Sequence, residues 1–391
     1  MRESRSVFKD ERVLDINYVP EELLHREEEL RFLETLYDFM IKTPHEMSQR
    51  VVIMGGVGTG KTALAQRFGM NLVDRGRDRG VDIKYVHVNC RELRGSLFMV
   101  LRRVVKTLRP EFPERGYAAS ELLEILLQIL DEEDTQLLLC LDEVDSLIKQ
   151  EGGDSLYHLT RFQERRPDGP RRLSLIVISK DGEAFKEVDR STLSSLQRNI
   201  IKMSDYTQPE LADIVLSRAE RGFHPEAISL DVIDFISELA STERGDARYA
   251  IDLLWRAGKY ADVSYSREVL PEHVRKAAAT LFPVLKEESV RQLSLHEQLA
   301  LLGIARHFLH NKATHASTGE IERSYHVVCE EYDEEPRKHT QFWKYLKKLK
   351  ALDAINIKLS MSSEGRTQLI SLAKVPSEEL EKEVKRIIEQ G

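Results

Sequence analysis

Hydrophobic residues in the first half of the chain fall into five short continuous runs. They are VVIM at 51–54, IKYVHV at 83–88, LLLCL at 137–141, SLIVIS at 174–179 and NIIKM at 199–203. Helix-like stretches separate most of them. Continuous apolar runs alternating with helices predict a parallel sheet covered on both faces. Ahead of the first run, Leu30, Leu33, Leu36 and Phe39 recur at three-residue steps, a helical spacing. Residues 1–15 are charged and aperiodic, which predicts a mobile arm before an α/β domain over 16–205.

After about Asp205 the strand pattern stops. TQPELADIVLSRAERGF, SLDVIDFISELAS and DARYAIDLLWRAGKYA read as amphipathic helices capped at Thr207, Ser229 and Asp246. LPEHVRKAAATLF at 270–282 reads as a fourth, with Pro271 near its first turn. This predicts an all-α domain over 206–284. A third module is expected over 285–391. SLHEQLALLGIARHFL, STGEIERSYHVVCEEY and RKHTQFWKYLKKLKALD are helix-like. AINIKLS and TQLISLA are strand-like and are separated by the turn-forming MSSEGR. Three helices and a β-hairpin make a winged helix-turn-helix, a DNA-binding plan.

Composition narrows the class. Of 391 residues, 41% are hydrophobic and 32% charged, enough for real cores and wrong for collagen, a disordered chain or a membrane bundle. Three distant cysteines without CxxC give neither a disulfide framework nor a zinc pattern, which fits a reducing cytosol. The start lacks the apolar core of a signal peptide, and no run approaches the roughly 18 apolar residues of a membrane span. A soluble cytoplasmic protein with no membrane partner is expected. The net charge of −8 argues against indiscriminate coating of nucleic acid. The charge is segregated, however. Residues 286–391 hold 17 basic and 17 acidic side chains, and an acidic run ending at Glu335 directly precedes an acid-free basic one at 337–350.

The strongest chemical motif is Gly55-Gly56-Val57-Gly58-Thr59-Gly60-Lys61-Thr62, followed by Ala63. It satisfies G-x-x-x-x-G-K-[ST] and lies between an expected strand and an expected helix, the context this phosphate loop requires. Its backbone N–H groups and the helix N-terminus suit the phosphates of ATP or ADP. Lys61 would neutralise the β/γ-phosphates, and the Thr62 hydroxyl would bind Mg²⁺. LLLCLDEVDSL supplies the second half. Asp142 and Glu143 end a buried strand at the sheet's carboxyl edge, where open α/β folds bind ligands. Asp142 would hold Mg²⁺, largely through water, and Glu143 would orient the attacking water.

Other candidates are individually weaker. Lys180 follows the strand ending at Ser179, where a polar residue could meet the γ-phosphate. Arg248 opens a helix of the α domain and could report the nucleotide's state; it reads equally as a surface arginine. Arg190 and Arg198 could each act as a finger toward a neighbouring subunit's nucleotide, or could form a plain surface ion pair.

On the DNA side, Phe342, Tyr345, Leu346 and Leu349 form an apolar helical stripe. That leaves Thr340, Gln341, Lys344, Lys347, Lys348 and Lys350 outward. Thr340 and Gln341 could meet base edges, with Arg337, Lys338 and the lysines on phosphates. Lys358 and Arg366 of the hairpin would approach the adjacent backbone. In LFMVLRRVVKTLRPEF, Arg102, Lys106 and Arg109 share one face, either a second DNA contact or an ordinary surface helix.

Taken in order, these features resemble the archaeal replication-initiator AAA+ ATPases, relatives of the eukaryotic origin-recognition and helicase-loading initiators. The specific matches are NYVPEELLHREEEL, LDEVDSL, SSL at 194–196, GDARYAIDLL, SLHEQLALLGIA and GRT at 365–367. The resemblance implies an AAA+ domain, lid and winged helix that bind replication-origin duplex, with slow ATP hydrolysis as a switch. It further implies recruitment of the replicative helicase ring, paralogous initiator subunits and a place at the nucleoid. By motif match, Tyr18, Val19 and Pro20 would lie near the adenine with Arg26 close by, and Arg248 would be the lid's sensor arginine. The Arg102–Arg109 helix would fall in the initiator-specific insertion. Two segments depart from the family: Lys180 replaces the usual Asn, and Ser363-Glu364 precedes the wing GRT in place of a more glycine-rich, basic tip. They point to a divergent paralogue. A helicase-loading adaptor or regulator with little origin specificity, and a signalling-type P-loop switch, are the rival readings.

Overall fold

Each apolar run forms a strand: β1 (Arg50–Gly55), β2 (Ile83–Asn89), β3 (Gln136–Asp142), β4 (Leu173–Ser179) and β5 (Ile200–Met203). They pair in parallel in the order β2-β3-β4-β1-β5. All seven residues of β3 and of β4 are buried, as central strands covered on both faces must be. The edge strands β2 and β5 instead mix buried positions with exposed or half-buried ones. The computed structural model describes residues 6–113, 116–161, 169–196, 199–281, 287–362, 365–372 and 375–390. The chain divides into two compact units, Val19–Tyr206 and Met1–Tyr18 with Thr207–Gly391.

In the sheet unit, α1 (Glu27–Tyr37), α2 (Phe39–Lys42) and α3 (Lys61–Asp78) lie on one face. There Leu33, Tyr37, Leu64 and Phe68 join Val51, Ile53, Ile176 and Ile178 in one core. The other face carries α4 (Leu97–Leu108), α5 (Ala119–Glu132), α6 (Asp145–Glu151) and α7 (Asp154–Arg161). Val100, Val104, Leu123 and Leu127 meet Val52, Leu139, Leu175 and Val177 there. The period-2 alternation of β1 and β4 thus feeds two cores, and each fully buried Val or Leu stabilises by about 2 kcal/mol. A short helix, α8 (Arg190–Leu196), precedes β5.

The second unit opens with the lid helices α9 (Gln208–Gly222), α10 (Leu230–Thr242), α11 (Ala247–Val263) and α12 (Pro271–Leu281). Their N-caps include Thr207, Ser229 and Asp246. Residues 6–14 are not the mobile arm that their charge predicts. Val7, Phe8, Val13 and Leu14 are buried, and Lys9 N donates to Gly222 O at 2.8 Å. Asp262 accepts Val7 N at 2.8 Å, and Glu11 accepts Trp255 Nε1 at 2.7 Å and Lys259 Nζ at 2.6 Å. The arm is short and its partners lie over two hundred residues away, so no local period reveals it. The Phe8 ring fills the space above Gly258, where a Cβ would come within 2.4 Å of it, and packs tilted against Phe223, with 4.8 Å between ring centroids. Phe8→Ala is expected to destabilise this unit by about 3 kcal/mol, read as a lower urea midpoint.

The winged helix follows: α13 (Glu287–Arg291), α14 (Leu295–Asn311), β6 (Ala316–Ser317), α15 (Thr318–Glu331), α16 (His339–Ala351), β7 (Ile355–Ser362), β8 (Gly365–Leu372) and α17 (Ser377–Gln390). The strands pair antiparallel as β6-β8-β7. Helix α17 has no counterpart in the sequence reading, although Leu380, Val384 and Ile387 carry its buried stripe at i, i+4, i+7. Arg306 clips it in place, bonding Glu381 at 2.9 Å and Glu331 of α15. Lid and winged helix share one unit. Buried Arg275 of α12 donates to Ala313 O at 2.7 Å and lies over the Phe308 ring at 4.7 Å.

Candidate nucleotide and DNA sites

The phosphate loop joins β1 to α3. Gly58 (φ 75°) and Gly60 (φ 89°) adopt the left-handed backbone that glycine alone takes without strain, so the chain turns tightly into the N-terminus of α3. Lys61 folds back over the loop, donating from Nζ to Gly55 O at 2.7 Å and to Gly56 O. Thr59 is buried and donates to Gly56 O at 3.0 Å. The cradle leaves no room for larger residues: a Cβ on Gly56 would lie 2.8 Å from Asp205 Oδ1, and one on Gly60 2.8 Å from the Tyr206 hydroxyl.

Parallel pairing brings the carboxylates to this loop. Thr62 Oγ1 donates to Asp142 Oδ2 at 2.7 Å, and His87 Nε2 donates to the same oxygen at 3.1 Å. Burial pushes the Asp142 carboxyl up. The bonds from His87, Thr62 and Glu143 N outweigh that and hold it below the ordinary aspartate value. Its stabilising contribution is therefore complete above that value and lost as pH falls through the lowered one. Glu143 has φ 50° at the strand end, a left-handed conformation uncommon outside glycine. Its carboxylate accepts Asn89 Nδ2 at 3.3 Å and lies 3.6 Å from Arg91. Lys180 is exposed, while its backbone N–H and the Ser179 hydroxyl bond Asp145 at 3.1 and 2.6 Å.

Three residues that the sequence reading passed over support this site: His87, Asn89 and Arg67. Arg67 of α3 donates to Pro20 O at 2.7 Å and Val19 O at 3.0 Å, so these two residues are anchored to the phosphate-loop helix. Arg26 is buried beneath the loop, bonding Thr59 O at 3.1 Å and Ser204 O at 2.7 Å under the Tyr206 ring at 4.0 Å. It is a strut of the loop. Tyr18 belongs to the other unit, where Arg218 lies over its ring at 4.7 Å and donates to its carbonyl. Arg248 is exposed in the first turn of lid helix α11, with its N–H on Asp246 at 2.8 Å. Arg190 is exposed at the start of α8, and Arg198 lies outside the described residues.

The basic residues sort into two groups. Lys338, Thr340, Gln341 and Lys344 are exposed at or near the start of α16, and Lys347 lies over the Trp343 ring at 5.7 Å. Phe342, Tyr345, Leu346 and Leu349 are buried beneath them. Arg337 is exposed, although its Nε bonds His296 at 2.9 Å. The second group is engaged by protein. Lys348 pairs with Glu297 at 2.6 Å. Lys358 does not face outward as a free wing contact: it turns to the lid, bonding Gln208 at 3.2 Å and Glu238 at 3.5 Å, and Glu238 also holds His315 at 3.0 Å. Arg109 follows α4 and is clamped by Glu132 at 2.6 Å and Glu133 at 3.3 Å of the α5 end; Arg102 and Lys106 on the same face are half-buried as well, with Arg102 over the Phe98 ring at 6.0 Å. The side chain of Arg366, and Glu364, lie outside the described residues. Among the described residues no helix is long and apolar enough to cross a membrane.

A phosphate loop on a five-strand parallel sheet, a Thr–Asp pair beside it, a helical lid and a terminal winged helix define a P-loop protein of AAA+ architecture. Residues 46–184 match the AAA domain family, 212–279 the Cdc6 AAA+ ATPase-type lid domain and 288–383 the CDC6 C-terminal winged helix domain. The chain is 34% identical over 380 residues to ORC1-type DNA replication protein 2 of Saccharolobus solfataricus, covering 95% of this chain and 92% of that one. It superposes on Cdc6p from Pyrobaculum aerophilum with a TM-score of 0.85 and 30% identity, over 98% of this chain and 99% of that one. The Aeropyrum pernix ORC1 protein, solved in complex with DNA, matches with a TM-score of 0.65 and 30% identity, over 100% and 98%. The chain belongs to the ORC1-type DNA replication protein family.

Proposed function

We propose that this protein is an ATP-dependent replication initiator that binds origin duplex and helps to recruit or load the replicative helicase ring, alone or beside paralogous initiator subunits. One observation carries the reading. A phosphate loop, with Lys61, Thr62, Asp142 and Glu143 within one unit, shares a chain with a winged helix that exposes Lys338, Thr340, Gln341, Lys344 and Lys347 along α16 and its N-cap. The relative solved with DNA adds support.

In this reading the loop amides from Gly56 to Ala63 and Lys61 hold the phosphates of ATP or ADP, and Val19 and Pro20 border the adenine. The Thr62 hydroxyl and the Asp142 carboxylate, 2.7 Å apart, fit an Mg²⁺ ion, hard oxygen donors for a hard cation. That ion would neutralise charge on the phosphates. Glu143 orients the attacking water, and Lys180 and Arg248 stand as γ-phosphate sensors. Arg190 is the exposed candidate for action in trans. ATP retention and its slow hydrolysis then bias the orientation of the lid, and with it the winged helix. On DNA, Thr340 and Gln341 face base edges and the α16 cations face phosphates.

The test is charge neutralisation. The double variant Lys344→Gln, Lys347→Gln is expected to weaken duplex binding and to lower the slope of log affinity against log salt by about two units. An unchanged slope would sink the DNA reading. A replication regulator with little origin specificity is the second reading, favoured by the carboxylates that occupy Arg109, Lys348 and Lys358. Equal footprints on origin and random DNA would select it.

A further inference from the structure

The SLHE segment at 294–297 stands out in the sequence without a task in the reading above. In the structure it reaches both ends of α16. Ser294 caps α14, and its N–H donates to Glu297 Oε2 at 2.8 Å. The same oxygen accepts Lys348 Nζ at 2.6 Å, in the last turn of α16. One residue earlier, His296 reaches the other end. Arg337 Nε–H donates to His296 Nε2 at 2.9 Å, so Nε2 is an unprotonated acceptor and Nδ1 carries the hydrogen. Nδ1 faces the Tyr325 hydroxyl at 2.9 Å, and that hydroxyl accepts the Arg337 backbone N–H at 3.1 Å. The ring also stacks on Tyr345 of α16, 6.4 Å between centroids and 4° from parallel. Burial and the Arg337 charge hold the imidazole below its usual pKa, against the opposing Glu334 carboxylate at 3.4 Å.

We propose that His296 and Glu297 are positioning residues for DNA binding, bracketing α16 by its two ends, with His296 presenting Arg337 to a backbone phosphate. The inference rests on the DNA-binding reading. Arg337 is exposed, and among the described residues its terminal guanidinium nitrogens have no protein partner. Holding Nε leaves those nitrogens in a fixed fork, the geometry that phosphate takes bidentately. Phosphate contacts of this kind set the register in which the helix meets base edges.

The experiment is a coupled set on the full chain, with a random-sequence duplex as the probe and affinity measured across a salt series. Arg337→Gln is expected to weaken binding and to lower the salt slope by about 0.9. His296→Phe keeps the ring's bulk, removes the acceptor and should reproduce that slope change. The double variant should be no worse than Arg337→Gln alone, and His296→Gln, which returns an acceptor, should restore the slope. Additive losses, or an affinity drop in His296→Phe at unchanged slope, would overturn the proposal. Nitrogen NMR of the wild-type histidine covers a variant that fails to fold: His296 should show a protonated Nδ1 and a bare Nε2, and the opposite tautomer would overturn it. A wild-type protein without salt-dependent duplex binding would overturn the DNA reading as well, and is recognised before any variant is made.

Discussion

Lys61→Ala is expected to abolish ATP and ADP binding at concentrations that saturate the wild-type protein, a loss of about 100-fold or more. The Lys61 ammonium donates to two carbonyls of its own loop. It stands where those donors can be handed to phosphate oxygens. Charge-assisted bonds contribute about 1.5–3 kcal/mol each, so losing two costs about 3 kcal/mol or more. The fold should survive, because Gly55 and Gly56 are only half-buried and water can take their carbonyls. Titration with a fluorescent ATP analogue, beside a thermal melt, separates the effects. Intact nucleotide binding with an intact fold would show that this loop is not the site.

Glu143→Gln should do the reverse: hold ATP and fail to turn it over. The amide retains an oxygen for the Asn89 Nδ2 bond, and the ion pair it loses to Arg91 is long and exposed, contributing little. In the proposed reading, what disappears is the carboxylate that would orient and activate water, and the expected cost is about 100-fold or more in hydrolysis. ATP affinity should change by less than about threefold. Single-turnover hydrolysis and equilibrium binding on the same preparation check both halves. Asp142→Asn is the contrasting variant, because its carboxylate is tied to Thr62 and His87 inside the site and its loss should weaken Mg²⁺-dependent binding itself.

The sheet was legible because its signals are local. Five apolar runs and one glycine motif fix where strands end, and parallel pairing then brings the end of β3 to the phosphate loop. The lid was legible for the same reason, through the caps at Thr207, Ser229 and Asp246. Pairings between distant elements were not legible. Nothing near Arg26 says that it underpins Thr59, or near Arg67 that it anchors Val19 and Pro20. The same holds for charge. A count of lysines on α16 treats Lys344 and Lys348 alike, yet the first is exposed and the second is held by Glu297. Lys358 and Arg109 likewise spend their charge on the protein's own carboxylates. Helix α17 was legible in principle from Leu380, Val384 and Ile387, and the arm's contact with Asp262 was not.

Site-directed DNA binding coupled to replication is the claim on which the rest depends. It is tested most directly by sequencing the chromatin fragments bound to this protein in its own cell and comparing them with mapped replication start sites. Bound fragments concentrated at those starts, and dispersed in the Lys61→Ala strain, are the expected result. Fragments spread without regard to the starts in the wild-type cell would contradict the initiator account.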